Sequence, residues 1–376
     1  MSASSPLPEN RVRTWHVWLV VWRVHRWLGL GAGALLVLLS LTGSLLVVHH
    51  EIEAFLERDR RAAPADPGAQ PRPLADILSA AAAAAPADHR LFRLFPGSVD
   101  ETHRVMFLAP DQTTRWTVFV DPFSATVRWS GPDQHLFTPW LLGLHMQLHA
   151  GRAGYYVTGA AGVVLTLLAL TGLYLHRGHL RTLVRSPFRR RLGWRVALSD
   201  LHKWIGVAAL YFPLVLGVTG TLYVWRILDA QPAPPPAATT TVDFATLAPL
   251  EPMLATAQRQ FPAGELLRLQ FPAEARGAIT ALVLHRENPP WQKFSRVEFD
   301  PRSGAVQRVR AADAAAPGEQ IASMLAPLHF GFYGATWVKW AYFVGGLAPA
   351  LLAMTGACLW FLRRRPRDRT RPVVLA

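Results

Sequence analysis

Apolar positions in this chain gather into four long runs that contain no charge: Trp27–Val48, Ala153–Leu175, Trp204–Trp225 and Trp340–Leu362. Each holds 22 or 23 residues. As helices rising about 1.5 Å per residue, such runs span a hydrocarbon layer of about 30 Å. The first is too long for a signal-peptide core and lacks a small-residue cleavage site, so it is expected to stay as an anchor. Between the runs the pattern changes. Residues 74–85 and 247–260 read as helices. Strands are predicted at 90–95, 103–108, 115–120 and 126–129, and again near 266–271, 278–285, 294–299 and 306–309. Alternating apolar and polar positions mark these strands as half buried. Asp121-Pro122-Phe123-Ser124 and Asp300-Pro301-Arg302-Ser303-Gly304 supply turn chemistry before the last strand of each set. The Pro/Ala-rich stretches 62–73 and 231–241 read as linkers.

Charge then orients the chain. Only 17% of the 376 residues are charged, yet the formal net charge is +14. The excess sits in three places: Arg11 to Arg26 ahead of the first run, Arg177 to Lys203 between the second and third, and Arg363 to Arg371 after the fourth. Glu9, Asp200 and Asp368 are the acidic residues there. Basic residues stay on the cytoplasmic side, which places both termini inside and both long segments outside. Anionic lipid is the expected partner of the basic segments. Nucleic acid is not expected, because no basic face is interleaved with stacking aromatics. The implied segments are an N-terminal 1–24, a span at 25–49, an outer domain at 50–144, a lead-in and span at 145–176, and a basic loop at 177–201. A span at 202–226, a second outer domain at 227–326, a lead-in and span at 327–362 and a basic tail at 363–376 follow. The fold class is an α-helical integral membrane protein, a four-helix transmembrane bundle built from a tandem repeat, with two small α+β outer domains.

The repeat shows in the residues. His25-Arg26-Trp27-Leu28-Gly29 leads to Thr42-Gly43, and His202-Lys203-Trp204-Ile205-Gly206 leads to Thr219-Gly220, seventeen positions from His to Thr in both. Leu148-His149-Ala150-Gly151 introduces the second run and Leu328-His329-Phe330-Gly331 the fourth, with Gly154 and Gly334 following. Those runs reach Thr171-Gly172 and Thr355-Gly356. Tandem halves of one orientation pack about an axis along the membrane normal. That axis would set His25 opposite His202 and His149 opposite His329. Two facing neutral imidazoles are what six-coordinate haem iron requires. His145, four residues before His149 on the same helical face, is an alternative ligand or a propionate partner. The Thr-Gly pairs serve either close helix packing or the lining of a haem face. The single cysteine, Cys358, and the absence of a C-x-x-C-H motif exclude covalent haem attachment and cysteine-ligated clusters. His16, His89, His103, His135, His179 and His285 lie outside this register and read as surface or fold residues. His49 and His50 end the first span.

His-Arg-Trp-Leu-Gly-Leu with Leu-Thr-Gly, Leu-His-Met-Gln-Leu-His-Ala-Gly, Leu-His-Lys-Trp-Ile-Gly and Pro-Leu-His-Phe-Gly together resemble the PepSY-associated transmembrane helix family. The resemblance runs from about residue 20 to 362 and makes the outer domains PepSY-like. It implies an iron-regulated protein of the bacterial inner membrane, similar to ferric-siderophore reductases. It further implies two haem b groups held by His25, His202, His149 or His145, and His329. Electrons would pass to a ferric siderophore in the periplasm and release Fe(II). The donor stays open between a quinol and a cytoplasmic reductase, since no flavodoxin or reductase domain is fused. Two other classes compete: a non-enzymatic regulator binding a partner through its outer domains, and a transporter. The absence of any carboxylate inside a run weighs against the transporter.

Overall fold

The computed structural model describes residues 9–56, 69–97, 101–178, 189–229, 247–272, 277–333 and 335–364. The expected linker 231–241, most of 62–73, Gly334, the middle of the basic loop and most of the basic tail lie outside the described residues. In chain order the helices are α1 (Glu9–Val47), α2 (His49–Leu56), α3 (Leu74–Ala83), α4 (Phe137–Gln147), α5 (Gly151–His176) and α6 (Trp194–Ala208). They continue with α7 (Tyr211–Asp229), α8 (Leu250–Gln260), α9 (Pro317–Phe330), α10 (Thr336–Gly346) and α11 (Ala348–Arg364). The chain divides into two compact units. One is helical and comprises residues 1–47, 145–228 and 340–376; the other carries the strands and comprises 48–144 and 229–339.

In the helical unit α1 packs against α5 and α11, and α6 packs against α11. Four stretches are long and apolar enough to cross a membrane: Trp15–Val47, Gly151–His176, Tyr211–Asp229 and Thr336–Arg363. Leu41, Leu45, Val163, Leu167, Val218, Leu222, Leu351 and Phe361 are exposed on them. An apolar exterior is what lipid as solvent demands. Small residues set the internal crossings. A Cβ at Gly162 would lie 2.9 Å from the Gly217 carbonyl oxygen, and one at Gly217 would lie 2.9 Å from the Gly162 carbonyl oxygen. The crossing of α5 and α7 therefore depends on two bare backbones.

The third and fourth apolar runs, expected as single helices, are each broken. The third divides at Ala209 and Leu210 between α6 and α7, and the fourth divides at Leu347 between α10 and α11. Proline explains both, since it cannot donate to the carbonyl four residues earlier and its ring crowds that carbonyl. Pro213 falls in the first turn of α7 and Pro349 in the first turn of α11. Freed backbone groups inside a membrane need new partners. Ser40 of α1 supplies them: its hydroxyl donates to the Gly346 carbonyl and accepts the Ala350 N–H at 3.2 Å.

The other unit is built on one eight-stranded antiparallel sheet in the order β4-β3-β2-β1-β5-β6-β7-β8. Its strands are β1 (Arg90–Phe95), β2 (His103–Leu108), β3 (Arg115–Val120), β4 (Val127–Pro132), β5 (Glu265–Gln270), β6 (Ile279–Leu284), β7 (Phe294–Phe299) and β8 (Val306–Arg310). The two outer segments, expected as separate modules, share this sheet through β1 and β5, where Arg93 pairs with Gln270 and Leu94 with Leu269. Helices α3 and α8 cover it, with Ile77, Leu78, Ala81, Met253 and Ala257 packed on Leu94, Val105, Val118, Leu269, Ala281 and Val297. The Asp-Pro turns form as the sequence predicts. Asp121 Oδ1 accepts the N–H groups of Phe123 and Ser124, and Asp300 Oδ1 accepts those of Arg302 and Ser303. Each turn ends on a left-handed residue, Ala125 at φ 57° and Gly304 at φ 71°.

That asymmetry yields a stability prediction. A left-handed alanine costs about 1–2 kcal/mol, and glycine's extra backbone entropy in the unfolded chain returns about half of that. Ala125→Gly is expected to stabilise the sheet unit by about 0.5–1 kcal/mol. Gly304→Ala is expected to destabilise it by a similar amount. Thermal denaturation followed by fluorescence checks both.

Candidate functional site

Three histidines of the helical unit are seated in the same way. His25 Nδ1 lies 2.9 Å from Thr171 Oγ1, His202 Nδ1 lies 2.8 Å from Thr355 Oγ1, and His145 Nδ1 lies 2.9 Å from Thr42 Oγ1. Each threonine hydroxyl has already committed its proton to its own helix. Thr171 donates to the Leu167 carbonyl at 2.6 Å, Thr355 to Leu351 at 2.7 Å and Thr42 to Leu38 at 2.8 Å. A hydroxyl has one proton and two lone pairs. Each threonine must therefore accept from the imidazole, which fixes the proton on Nδ1 and leaves the lone pair on Nε2. This is the tautomer a metal-ligating histidine adopts when its second nitrogen is oriented by a neighbouring acceptor.

The glycine after each threonine completes the seat. A Cβ added at Gly172 would stand 3.4 Å from His25 Cε1, one at Gly356 3.5 Å from His202 Cε1, and one at Gly43 2.8 Å from His145 Cε1. The Thr-Gly pair thus accepts the Nδ1 proton with its first residue and clears space for the ring edge with its second. Sequence reasoning placed these pairs in helix packing or against a cofactor face; their role in holding imidazoles went unread. The signal was available in the constant spacing to a histidine, but that spacing links His25 to Thr42. The actual partner of His25 is Thr171 on another helix.

The seats occupy two levels. His25 and Thr42 both lie on the continuous helix α1, seventeen positions apart, which is about 25 Å along the axis at 1.5 Å per residue. At the first level His25 and His202 face one another with ring centres 6.3 Å apart and planes at 88°. Arg26, next to His25, lies over the rings of Trp22 and Trp27 at 4.7 and 4.8 Å, and its buried Nε has no hydrogen-bond partner. At the second level His145 occupies the last turn of α4.

The remaining predicted ligands are placed differently. His149 sits in the corner between α4 and α5 with φ 52°, beside Leu148 at φ 51°. The Gln147 carbonyl lies so close to Gly154 that no side chain fits there, and Thr158 Oγ1 donates to the Met146 carbonyl at 2.7 Å. This corner sets the end of α4 against the start of α5. His329 belongs to the sheet unit and lies in the last turn of α9, followed by the left-handed Gly331 at φ 73°. It is His145, rather than His149, that occupies the last turn of α4 as His329 does in α9. Among the scattered histidines, His103 is buried in β2, where its Nδ1 accepts the Gly97 N–H at 2.9 Å. Burial pushes its pKa down and keeps it neutral.

Does this arrangement fit haem? An iron joined to two imidazole nitrogens by bonds of about 2 Å, with each ring centre roughly 1 Å further on, requires centres about 6 Å apart. The observed 6.3 Å between His25 and His202 meets that requirement. Both rings hold the ligating tautomer, and Arg26 Nε, one residue along α1 from His25, is buried without a hydrogen-bond partner, which suits it to a carboxylate. The donor set fits bis-imidazole haem at the first level. At the second level His145 offers one correctly prepared nitrogen.

With the geometry in view, comparison with known proteins is informative. The family described as PepSY-associated TM region matches residues 22–363. The chain belongs to this family. It is also similar to an uncharacterised protein of Pseudomonas aeruginosa, at 29% identity over 252 residues. The match covers 60% of this chain and 63% of that protein's length.

The seat makes a graded prediction. Adding a methyl group at Gly43 intrudes on the His145 ring, whereas the same addition at Gly172 or Gly356 meets ordinary contact distance. Gly43→Ala is expected to lower stability by about 1–3 kcal/mol, the range for overpacking, and Gly172→Ala by much less. Thermal unfolding of the detergent-solubilised variants measures the difference.

Proposed function

We propose that this member of the PepSY-associated TM family is a haem-dependent ferric-siderophore reductase of the bacterial inner membrane. One haem b would be held by His25 and His202, and a second by His145, with His329 the partner that the sequence repeat alone suggests. The observation that carries the reading is the shared seat: three partly buried imidazoles, each with Nδ1 committed to a threonine, which leaves the ring's lone pair on Nε2. A purely structural histidine has no need of the same tautomer three times. Bound there, haem would supply one-electron carriers at two levels. This chain's own part is to orient the imidazoles, keep them neutral and, through Arg26, receive a propionate.

The second ligand pair departs from the pairing first expected, because His145 has the threonine and glycine that His149 lacks. The repeat reading supports His329 as its partner. Both outer segments run helix then four strands, the strand order is symmetric about β1 and β5, and Thr219-Gly220 offers a fourth Thr-Gly pair. By the distribution of basic residues, the first level is cytoplasmic and the second periplasmic, with the sheet unit outside. An open pocket of about 270 Å³ lined by Arg189, Arg195, Arg363 and Ser199 is suited to anionic lipid headgroups at the cytoplasmic side. Siderophores bind hard Fe(III) far more tightly than Fe(II), so one electron per iron suffices to release the metal. That step needs proximity to a carrier rather than acid–base groups.

The proposal predicts that dithionite-reduced protein reoxidises when a ferric hydroxamate or catecholate siderophore is added, with Fe(II) captured by ferrozine. His329→Ala should slow this strongly while the first-level haem stays reducible. Wild-type rates in that variant, or no reoxidation by any ferric chelate, would remove the reductase reading. The seat has its own test. Thr171→Val, which keeps the side-chain shape, should weaken haem retention at the first level by about 10–100-fold, as loss of an orienting partner does. Thr166→Val on the same helix, whose hydroxyl bonds only Gly162, should not.

A further inference from the structure

Helix α2 opens the first outer segment with His49-His50-Glu51-Ile52-Glu53, and no part of the haem reading uses these residues. Glu53 follows His49 by four positions and His50 by three, so its carboxylate reaches the helix face that both neighbours border. The rings of His49 and His50 lie 4.0 Å apart, tilted by 34°. One ligand atom from each of His49, His50 and Glu53 lies within 4.8 Å of the other two. Glu51, the intervening carboxylate, is engaged elsewhere. Both of its oxygens accept from Lys339 Nζ, at 2.5 and 2.7 Å.

We infer that His49, His50 and Glu53 form a binding site for a first-row divalent cation. Two imidazole nitrogens and one carboxylate oxygen are the donors that Zn(II), Fe(II) and Co(II) accept, whereas Ca(II) and Mg(II) favour all-oxygen shells. Bonds of about 2.0–2.2 Å to one ion bring donors to about 3 Å from each other. Binding therefore requires the three side chains to close their present spacing of up to 4.8 Å. Three protein donors leave at least one coordination position open to water or an exchanging ligand, the pattern of a labile site rather than a structural one. The inference does not depend on haem. If the proposed reaction operates, the Fe(II) it liberates belongs to the class this site accepts.

Equilibrium dialysis of the tag-free, full-length protein in detergent against Zn(II) tests the site, with metal per chain counted by mass spectrometry. The expected result is one Zn(II) per chain beyond any haem iron. His50→Ala and the isosteric Glu53→Gln should each weaken its binding about tenfold or more, with an unchanged gel-filtration profile. Glu51→Gln should leave binding near wild type. Absence of saturable Zn(II) binding in the wild-type protein overturns the proposal. So does unchanged affinity in Glu53→Gln and His50→Ala together. Haem content, read from the same samples, reports on the reductase reading separately.

Discussion

A threonine inside a transmembrane helix has one proton to give, and the carbonyl four residues earlier takes it. The hydroxyl oxygen is then an acceptor held at a fixed place and angle. Thr42, Thr171 and Thr355 all behave this way, and each is capped by an imidazole from another segment of the chain. That single hydrogen bond does three things at once. It satisfies a polar group in a medium without water, it ties one helix to another, and it determines which nitrogen of the ring carries the proton.

The rest of the helical unit is arranged so that these bonds can form. Glycine follows each threonine, and at Gly43 the ring edge of His145 occupies the space a methyl group would take. Gly162 and Gly217 allow α5 and α7 to cross at backbone contact. The interrupted fourth run is repaired by Ser40, which accepts and donates at the break. Tyr211 and Tyr342, 3.2 Å apart at their hydroxyls, pair beside the two interruptions. Proline breaks, small residues and hydroxyls are thus one system.

Much of this was readable from the chain, and the parts that were not share a cause. Seven of the eight strands fell within one residue of their predicted positions and β4 runs three residues further, because alternation and Asp-Pro turn chemistry are local. The four apolar runs were equally plain. Hydropathy is blind to helix continuity, however, so the breaks at 209–210 and 347 were missed although Pro213 and Pro349 stood in the sequence. The pairing of β1 with β5 joins residues far apart in the chain and leaves no local trace. The short helices α2, α4 and α9 were not predicted as helices: α2 fell at the end of the first span and the start of the outer domain, and only the last residues of α4 and α9 were read as lead-ins. The histidines were recognisable as a set, but their threonine partners were not, since each lies on a different segment. That His145 rather than His149 lies in the last turn of α4 follows from where the helix ends, a boundary no pattern marks.

Threonine-seated imidazoles that present Nε2 to haem iron would leave the oxidised haem low-spin. The most direct measurement is low-temperature electron paramagnetic resonance of the oxidised, full-length protein, with haem quantified per chain as its pyridine complex. The expected result is two b-type haems per chain, both low-spin with bis-imidazole signatures. Protein purified from haem-replete cells that contains no haem, or haem that is high-spin with an open axial position at the first level, would contradict it.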